Sequence, residues 1–348
     1  MQTCLNLILW DTEFMIDTRK WLLQPLLSLC LWASPQFAIA QDDAARLRQL
    51  LGPYTKPLEA PATTDLSTEQ VKLGRMLFFD RRISADARVS CNDCHELASY
   101  GTNGAHALTL RERGVLLRDV PTVYNKSSLR LFDWDGRHKT LTAKTEAALH
   151  SKHELNAGTA VELEARLRNI QGYVPLFATA FAGQPQPITA ENVVTALVDF
   201  QQGLATPAPI DRFLSGDDDA LSADQLKGGF LFDKYSCGAC HTGTQFGGQM
   251  LQKLGAVRPW PNQKDLGYFG VSKNPDHKMI FRAAPLRNVL ETPPYFHDGS
   301  SRRLWHAIRR MAEFELGTTI SVEDVLSIQA FLGALTGPLP DAYITPPK

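Results

Sequence analysis

The sequence predicts a mostly α-helical chain built as two related halves. Three observations carry this. Apolar residues recur at helical spacing behind side-chain caps, strand-type alternation is scarce, and one five-residue cysteine motif occurs twice inside a wider repeat. A length of 348 residues leaves room for about two domains, and 44% apolar content is enough for packed cores. With 36 basic and 37 acidic side chains the chain is nearly neutral, which argues against a nucleic-acid footprint and against disorder as the dominant state. Six cysteines in so long a chain exclude a disulfide-rich miniature scaffold.

Residues 1–40 read as an export signal. Met15–Lys20 ends in two basic residues, Trp21–Ala33 is an apolar run of secretory length, and Ala38-Ile39-Ala40 is a small-x-small cleavage site. The alternative is a membrane anchor, but the run is shorter than the ~20 apolar residues a spanning helix needs. It also holds Gln24 and Pro25. Asp11 and Glu13 precede the basic pair, which makes Met15 a candidate true start. Cleavage after Ala40 removes Cys4 and Cys30, leaves no stable membrane span, and balances acidic against basic side chains. Long-range steering toward a strongly charged partner is then not implied.

The remaining cysteines are Cys91, Cys94, Cys237 and Cys240, in Cys91-Asn92-Asp93-Cys94-His95 and Cys237-Gly238-Ala239-Cys240-His241. Both are C-x-x-C-H, the pattern of c-type haem attachment. Two thiols add to the two vinyl groups on one porphyrin edge, and the next residue offers an imidazole to the iron. A thioredoxin-like pair would need a βαβ context, which is absent. A zinc site is possible on spacing, but the pairs are far apart and a histidine follows each. The reading is therefore two covalently bound haem c groups, with His95 and His241 as proximal ligands. Haem c is attached on the exported side of the bacterial membrane, so leader and motifs support each other and point to the periplasm.

The wider repeat gives the organisation. LSTEQVKLG (66–74) matches LSADQLKGG (221–229), with Ser67 and Ser222 as helix N-cap candidates and Gln70 and Gln225 at the capping-box position. Each helix leads to an aromatic pair and then to a C-x-x-C-H. Downstream, PTVYN (121–125) recurs as PLRN (285–288), Trp134-Asp135-Gly136 as His297-Asp298-Gly299, and Leu141 as Leu304. Between these points Thr159 with Glu162, Thr189 and Ser321 open helices, and Gly337-Pro338 closes the last. Stretches near 52–61, 203–211 and 257–275 read as linkers and loops. The expected organisation is two cytochrome-c-like haem domains related by internal duplication, spanning 41–205 and 206–348, with the boundary near Ala205–Pro209.

The copies differ where chemistry would differ. Leu304, Ile308 and Met311 share one helix face, so the Met311 thioether is a candidate sixth ligand to the second iron, with Met250 and Met279 as competitors. The offset equivalent in the first copy is Ala148, which cannot bind iron. Two unlike haems follow: one His241/Met311 centre of raised potential, and one with an open face. Lys144, His150, His153 and Glu154 follow Trp134 closely. A carboxylate there can take a proton from one peroxide oxygen and return it to the other. Trp134 is either a turn-packing residue or an electron carrier between haems.

These residues resemble the bacterial di-haem cytochrome c peroxidase and MauG superfamily. The phrases are LGRMLFFDRRIS (73–84), PTVYN, WDGR (134–137), APLRNV (284–289), PPYFHDGS (293–300) and the Met311 helix, around the two C-x-x-C-H motifs. The resemblance covers nearly all of the chain after residue 40. It implies that His95 binds a low-potential peroxidatic haem and that His241 with Met311 binds a high-potential electron-entry haem. It implies an inter-haem role for Trp134, an active-site role for Glu154, and an inter-domain Ca2+ at Asp119, Thr292 and Pro294, the last through its carbonyl. The implied reaction reduces H2O2 to water with electrons from a small periplasmic cytochrome c or cupredoxin. Dimers are common in the family, but no sequence patch establishes one here.

Two departures qualify the resemblance. Where family peroxidases often carry a displaceable distal histidine, counting back from Pro121 gives Arg111, with His106 five residues earlier as a substitute. Lys144 stands where a glutamine is common, and a cation there favours a deprotonated Glu154. Both features admit a MauG-like oxidase acting on a protein or small molecule. That branch replaces the methionine ligand by tyrosine, so Met311 argues for the peroxidase side. A plain di-haem electron-transfer cytochrome is the third reading, and Ala148 opposite Met311 speaks against it.

Overall fold

The computed structural model describes residues 35–59, 68–102 and 118–347, with side chains from residue 42 onward. The expected leader up to residue 34, the alternative start at Met15, Ser67, His106 and Arg111 lie outside the described residues. The chain is mostly helical, as its periodicity predicts. In order the helices are α1 (Pro35–Leu51), α2 (Glu69–Phe79), α3 (Cys91–Cys94), α4 (Leu141–His150), α5 (Ala160–Asn169), α6 (Tyr173–Ala180), α7 (Ala190–Gln202), α8 (Pro209–Leu214), α9 (Ala223–Lys234), α10 (Phe269–Ser272), α11 (Leu304–Glu315), α12 (Val322–Gly333) and α13 (Asp341–Ile344). The one sheet among the described residues is an antiparallel pair, β1 (Leu251–Lys253) and β2 (Ile280–Arg282).

Most caps are local and fall where the sequence puts them. Ser222 and Gln225 form a complete capping box on α9, as do Thr159 and Glu162 on α5. Thr189 caps α7 and Ser321 caps α12 through the backbone N–H three residues on. Three expectations need correction. The cap of α2 is Thr68, whose side chain accepts from the Val71 N–H, one residue after the expected Ser67. The 203–211 stretch is not all linker: Pro209 opens α8, because proline at the first helical position gives up no needed donor. Helix α12 ends at Gly333 rather than at Gly337-Pro338. Gly337 serves a close approach instead, since a Cβ there would lie 2.3 Å from the Thr206 carbonyl oxygen.

Two helix crossings organise two cores. Gly74 of α2 lies against α7, where an added Cβ would sit 1.9 Å from the Ala196 oxygen. Gly228 of α9 lies against α12, where the corresponding distance to the Ser327 oxygen is also 1.9 Å. Around the first crossing pack Leu73, Leu77, Phe78, Leu197 and Phe200; around the second pack Leu231, Phe232, Ile328, Phe331 and Leu332. A third, smaller cluster gathers Trp260, Met279, Phe281 and Phe296 beside the β-pair, with the Arg310 guanidinium 4.2 Å over the Trp260 ring.

The cores do not follow a single cut at 205/206. Ala44, Leu47 and Leu51 of α1 belong to the second core, and Tyr343 near the C-terminus belongs to the first, stacked on Phe200 at 5.5 Å. Helix α1 needs an apolar groove for its buried stripe, and α9 supplies it beside Gly229, where a side chain would collide with Leu47. Each end of the chain therefore completes the core of the opposite half.

The junction is polar and held by buried side-chain hydrogen bonds. Asn125 and Asn288 both hold left-handed backbones, at φ 59° each. Each donates its side-chain amide to the Thr206 hydroxyl, at 2.8 and 2.9 Å. The Asn125 side-chain oxygen accepts from the Thr206 N–H at 2.8 Å, and that of Asn288 from the Gly337 N–H at 3.1 Å. Nearby, the buried Asp211 carboxylate accepts from Arg287, from the Ala208 N–H and from the Leu58 N–H.

Gly74→Ala and Gly228→Ala should each destabilise the folded protein by about 1–3 kcal/mol, because the facing atoms are backbone and cannot rotate away. Thermal denaturation measures this; a loss well below that range at either position would mean that the helices part at no cost.

Candidate functional site

The first cysteine motif is a single helical turn held from both sides. Ser90 and Asp93 form a capping box on α3, and Arg81 donates to the Asp93 carboxylate from Nε at 2.9 Å. His95 ends the turn, and its Nδ1 donates to the Gly101 carbonyl at 3.2 Å. The second motif forms a 3-10 turn at Cys237–Ala239. The Nδ1 of His241 lies 3.0 Å from the Ala284 oxygen and 3.2 Å from the Phe246 oxygen. In both motifs the main chain thus engages Nδ1 and leaves Nε2 as the available donor atom, the arrangement of an oriented metal-ligating imidazole.

All four cysteines are free and half-buried. Burial pushes the Cys91 and Cys237 thiols up to about 12. Burial, with Lys126 nearby, pushes His95 down to about 3, and burial also lowers His241. Both rings are therefore neutral at physiological pH, the form that binds metal. Two protonated thiols and a neutral imidazole at C-x-x-C-H spacing are the donor set that covalent haem requires.

A largely apolar cavity opens from the second motif. Cys237, Cys240 and His241 line it, and so do Ala307, Ile308 and Met311 of α11. The structure thus brings Met311 and His241 to one cavity. Met279 is buried in the third cluster, against which Met311 also packs, but does not line this cavity, and the Met250 sulfur accepts from the Gln252 amide at 3.2 Å. Tyr54 packs behind the motif, where a Cβ on Gly238 would meet its ring at 2.7 Å.

Trp134 stands where the halves meet. Its indole N–H donates to the Asp119 carbonyl at 2.8 Å, and its ring meets His297 edge-on at 6.5 Å. His297 in turn stacks on Phe281 at 4.1 Å. The two residues that correspond in the sequence repeat are thus neighbours in space. Asp119, Thr292 and Pro294 line the same cavity as Trp134. They offer a carboxylate, a hydroxyl and carbonyl oxygens, hard donors of the kind calcium takes. Among the described residues no three histidine, cysteine or acidic side chains gather as a metal cluster, so an ion there would rely on backbone oxygens.

Glu154 and Lys144 come together near the first motif. Lys144 Nζ donates to both Glu154 oxygens, at 2.9 and 2.8 Å, and lies 3.0 Å from Asp133 Oδ1. Asp133 Oδ2 accepts from His138 Nδ1 at 2.5 Å. The Glu154 carboxylate acts electrostatically on the Cys91 and Cys94 thiols, and Lys144 on the His95 ring. Burial opposes the Lys144 charge, but Glu154 and Asp133 together raise its affinity for the proton. Ala148 is half-buried on α4. His150 instead turns its Nδ1 to the Gly158 carbonyl at 2.5 Å, and His153 is exposed.

Sequence reasoning missed Asp133, which holds Lys144, His138, which holds Asp133, and two buried cations, Lys126 and Arg282, that line the central cavity. Asp133 adjoins the singled-out Trp134, and Lys126 follows the PTVYN phrase. Neither position carries a spacing signal of its own.

The model of a family described as "Di-haem cytochrome c peroxidase" matches residues 68–219. The cytochrome c551 peroxidase of Pseudomonas aeruginosa is 36% identical over 329 residues, which is 91% of this chain and 93% of that protein. The methylamine utilization protein MauG of Methylorubrum extorquens is 34% identical over 264 residues, 75% of this chain and 73% of that one. Among solved structures, a MauG-like protein associated with microbial copper homeostasis superposes with a TM-score of 0.67 at 24% identity, covering 84% of this chain and 96% of its own, which supports the fold.

The charged chain beside the first motif makes a pH-dependent prediction. Burial raises the Asp133 carboxyl, but Lys144 and His138 outweigh it and hold the group below its ordinary 3.8. The resulting stability is present above that value and is lost as pH falls through the depressed one. Asp133→Asn should cost about 1–3 kcal/mol at neutral pH, with the gap to the parent protein closing only as the pH falls below the ordinary carboxyl range. Thermal unfolding across pH reads this; a gap that does not narrow in acid would remove Asp133 from the network.

Proposed function

The chain belongs to the di-haem cytochrome c peroxidase family, and from that membership we propose that it works in the periplasm, reducing H2O2 to water with electrons from a small cytochrome c or a cupredoxin. It is a peroxidase-type oxidoreductase. The observation that carries the finer reading is the inequality of the two motifs. His241 shares its cavity with a methionine, whereas the first motif has a carboxylate clamped by a lysine nearby.

In this reading Cys91 and Cys94 hold one haem c with His95, and Cys237 and Cys240 hold the other with His241 and Met311. Bound haem supplies the iron and the reducing equivalents for O–O cleavage. The protein's own part is positional and protonic. Main-chain carbonyls orient the two imidazoles through Nδ1. Glu154 takes the proton from one peroxide oxygen at a carboxylate oxygen and returns it to the departing one. Two further protons and two electrons complete the reduction to two waters. Lys144 fixes the Glu154 carboxylate in place by donating to both of its oxygens. Trp134 and His297 supply an aromatic contact between the halves.

The two-domain organisation, 41–205 and 206–348, is read as an internal duplication. The matched glycine crossings and the matched asparagine bonds at the junction support it. Asp119, Thr292 and Pro294 are proposed to hold one Ca2+ between the halves. No helix among the described residues is long and apolar enough to cross a membrane, and the sequence of the first forty residues supports export. The second reading is a MauG-like oxidase of a protein or small molecule. The similarity to MauG favours it, and a methionine at position 311, lining the second cavity from α11, weighs against it.

Steady-state consumption of H2O2 with a reduced small cytochrome c should be measurable; absence of turnover with any such donor would favour the oxidase reading. Met311→Leu should abolish the high-potential couple in a redox titration while both haems stay attached, and an unaltered titration would dismiss the thioether as a ligand. Glu154→Gln should slow peroxide cleavage by about 10²–10⁴-fold. A parental rate in stopped-flow mixing would acquit Glu154 as the proton carrier.

A further inference from the structure

Two buried cations face the central cavity with no acid beside them. Lys126 opens the 3-10 turn after Asn125 and is 8% exposed, and Arg282 ends β2 and is 3% exposed. Both line the cavity that Cys237, Cys240 and His241 also line. Arg282 directs one terminal N–H to the Leu131 carbonyl at 3.2 Å, and its Nε is buried without a partner. Among the described residues no carboxylate lies within 4.0 Å of either cation. Asp133 acts on both from farther off, but it is engaged by Lys144 and His138.

Such a pair is costly as it stands. Buried charges are stable only when paired and hydrogen-bonded, and two like charges aggravate each other. Burial and the neighbouring Arg282 and Lys144 drive the Lys126 amine well below the ordinary lysine range, and burial lowers Arg282 to about 10. One bound anion would relieve both. A guanidinium edge with a free Nε–H beside an ammonium suits a planar, two-oxygen acceptor, a carboxylate. The rest of the cavity wall is largely apolar, so the carboxylate should come at the rim of a large apolar body.

We propose that Lys126 and Arg282 form a carboxylate-binding site, and that in the haem-loaded chain its occupant is a propionate of the haem held by Cys237, Cys240 and His241. The inference rests on the haem reading above and extends it to a specific anchor. Lys126 comes from the first half and Arg282 from the second, so the carboxylate joins the halves through the group it belongs to. Two cations at one propionate also favour the electron-poor state of the nearby iron less, and so raise its potential.

The test uses the haem-loaded chain. Lys126→Met should lower the midpoint of the high-potential couple and shift one propionate-bending band in the resonance Raman spectrum. Lys126→Arg should restore both. Unchanged band and midpoint in Lys126→Met would overturn the proposal. If that variant does not accumulate with haem, the parent protein decides: propionate bands at the frequencies of a solvent-exposed haem c peptide would overturn the proposal, and a displaced band supports it. Acetate separates the two sources of carboxylate. A saturable spectral response of the haem-loaded parent to acetate, lost in Lys126→Met, would mean that the site takes a free carboxylate and would overturn the propionate assignment. No response agrees with a site already filled. Absence of covalent haem on a denaturing gel is a separate result, which would end the haem reading itself.

Discussion

The hydroxyl of Thr206 is the point on which the two halves are hung. It is fully buried, and it accepts from Asn125 of one half and Asn288 of the other. Each asparagine needs a left-handed backbone to turn its amide inward, and asparagine is among the few residues that hold one readily. Each lies on the loop that also positions its motif. The Asn288 loop carries Ala284, whose carbonyl orients His241. The Asn125 loop carries Thr122, whose hydroxyl donates to the Tyr100 carbonyl beside Gly101, the acceptor for His95. Thr206 and both imidazoles are thus tied to the same two loops, through buried amide bonds at one end and part-buried main-chain bonds at the other.

Around that near-symmetric frame the chemistry is unequal. The second motif faces an apolar cavity with Met311 on the opposite helix. The first is bordered by the chain His138, Asp133, Lys144 and Glu154, each ion-paired or hydrogen-bonded to the next. Similar frames with unlike surroundings place an apolar wall beside one motif and a chain of charged groups beside the other. Trp134 and His297 sit where the two environments touch.

What could be read from the sequence was local. The caps at Ser222, Thr159, Thr189 and Ser321 depend on residues three apart, and the C-x-x-C-H motifs on residues five long, so both were legible. The Met311 helix face was legible for the same reason. Long-range partners were not. Nothing near Leu47 announces that it packs on Gly229, and nothing near Tyr343 announces Phe200. The clamp of Lys144 on Glu154 spans ten residues across a helix end, outside any regular spacing. Lys126 and Arg282 lie on opposite halves, so their shared cavity exists only once the halves have met. The end of α12 at Gly333 has no local signal, because Gly337 looks like a helix stop but answers to a backbone contact with Thr206.

Helix α1 has a further consequence for the order of assembly. It is made early, yet its groove on α9 belongs to a segment made much later, and contacts so distant along a chain are slow to close. Until they close, Tyr54 is not yet seated behind Gly238, and the rear of the second cysteine turn is open. The segment from α1 to Tyr54 thus braces the second cysteine turn from behind, and a chain trimmed of it would bare both the Gly229 groove and the back of that turn.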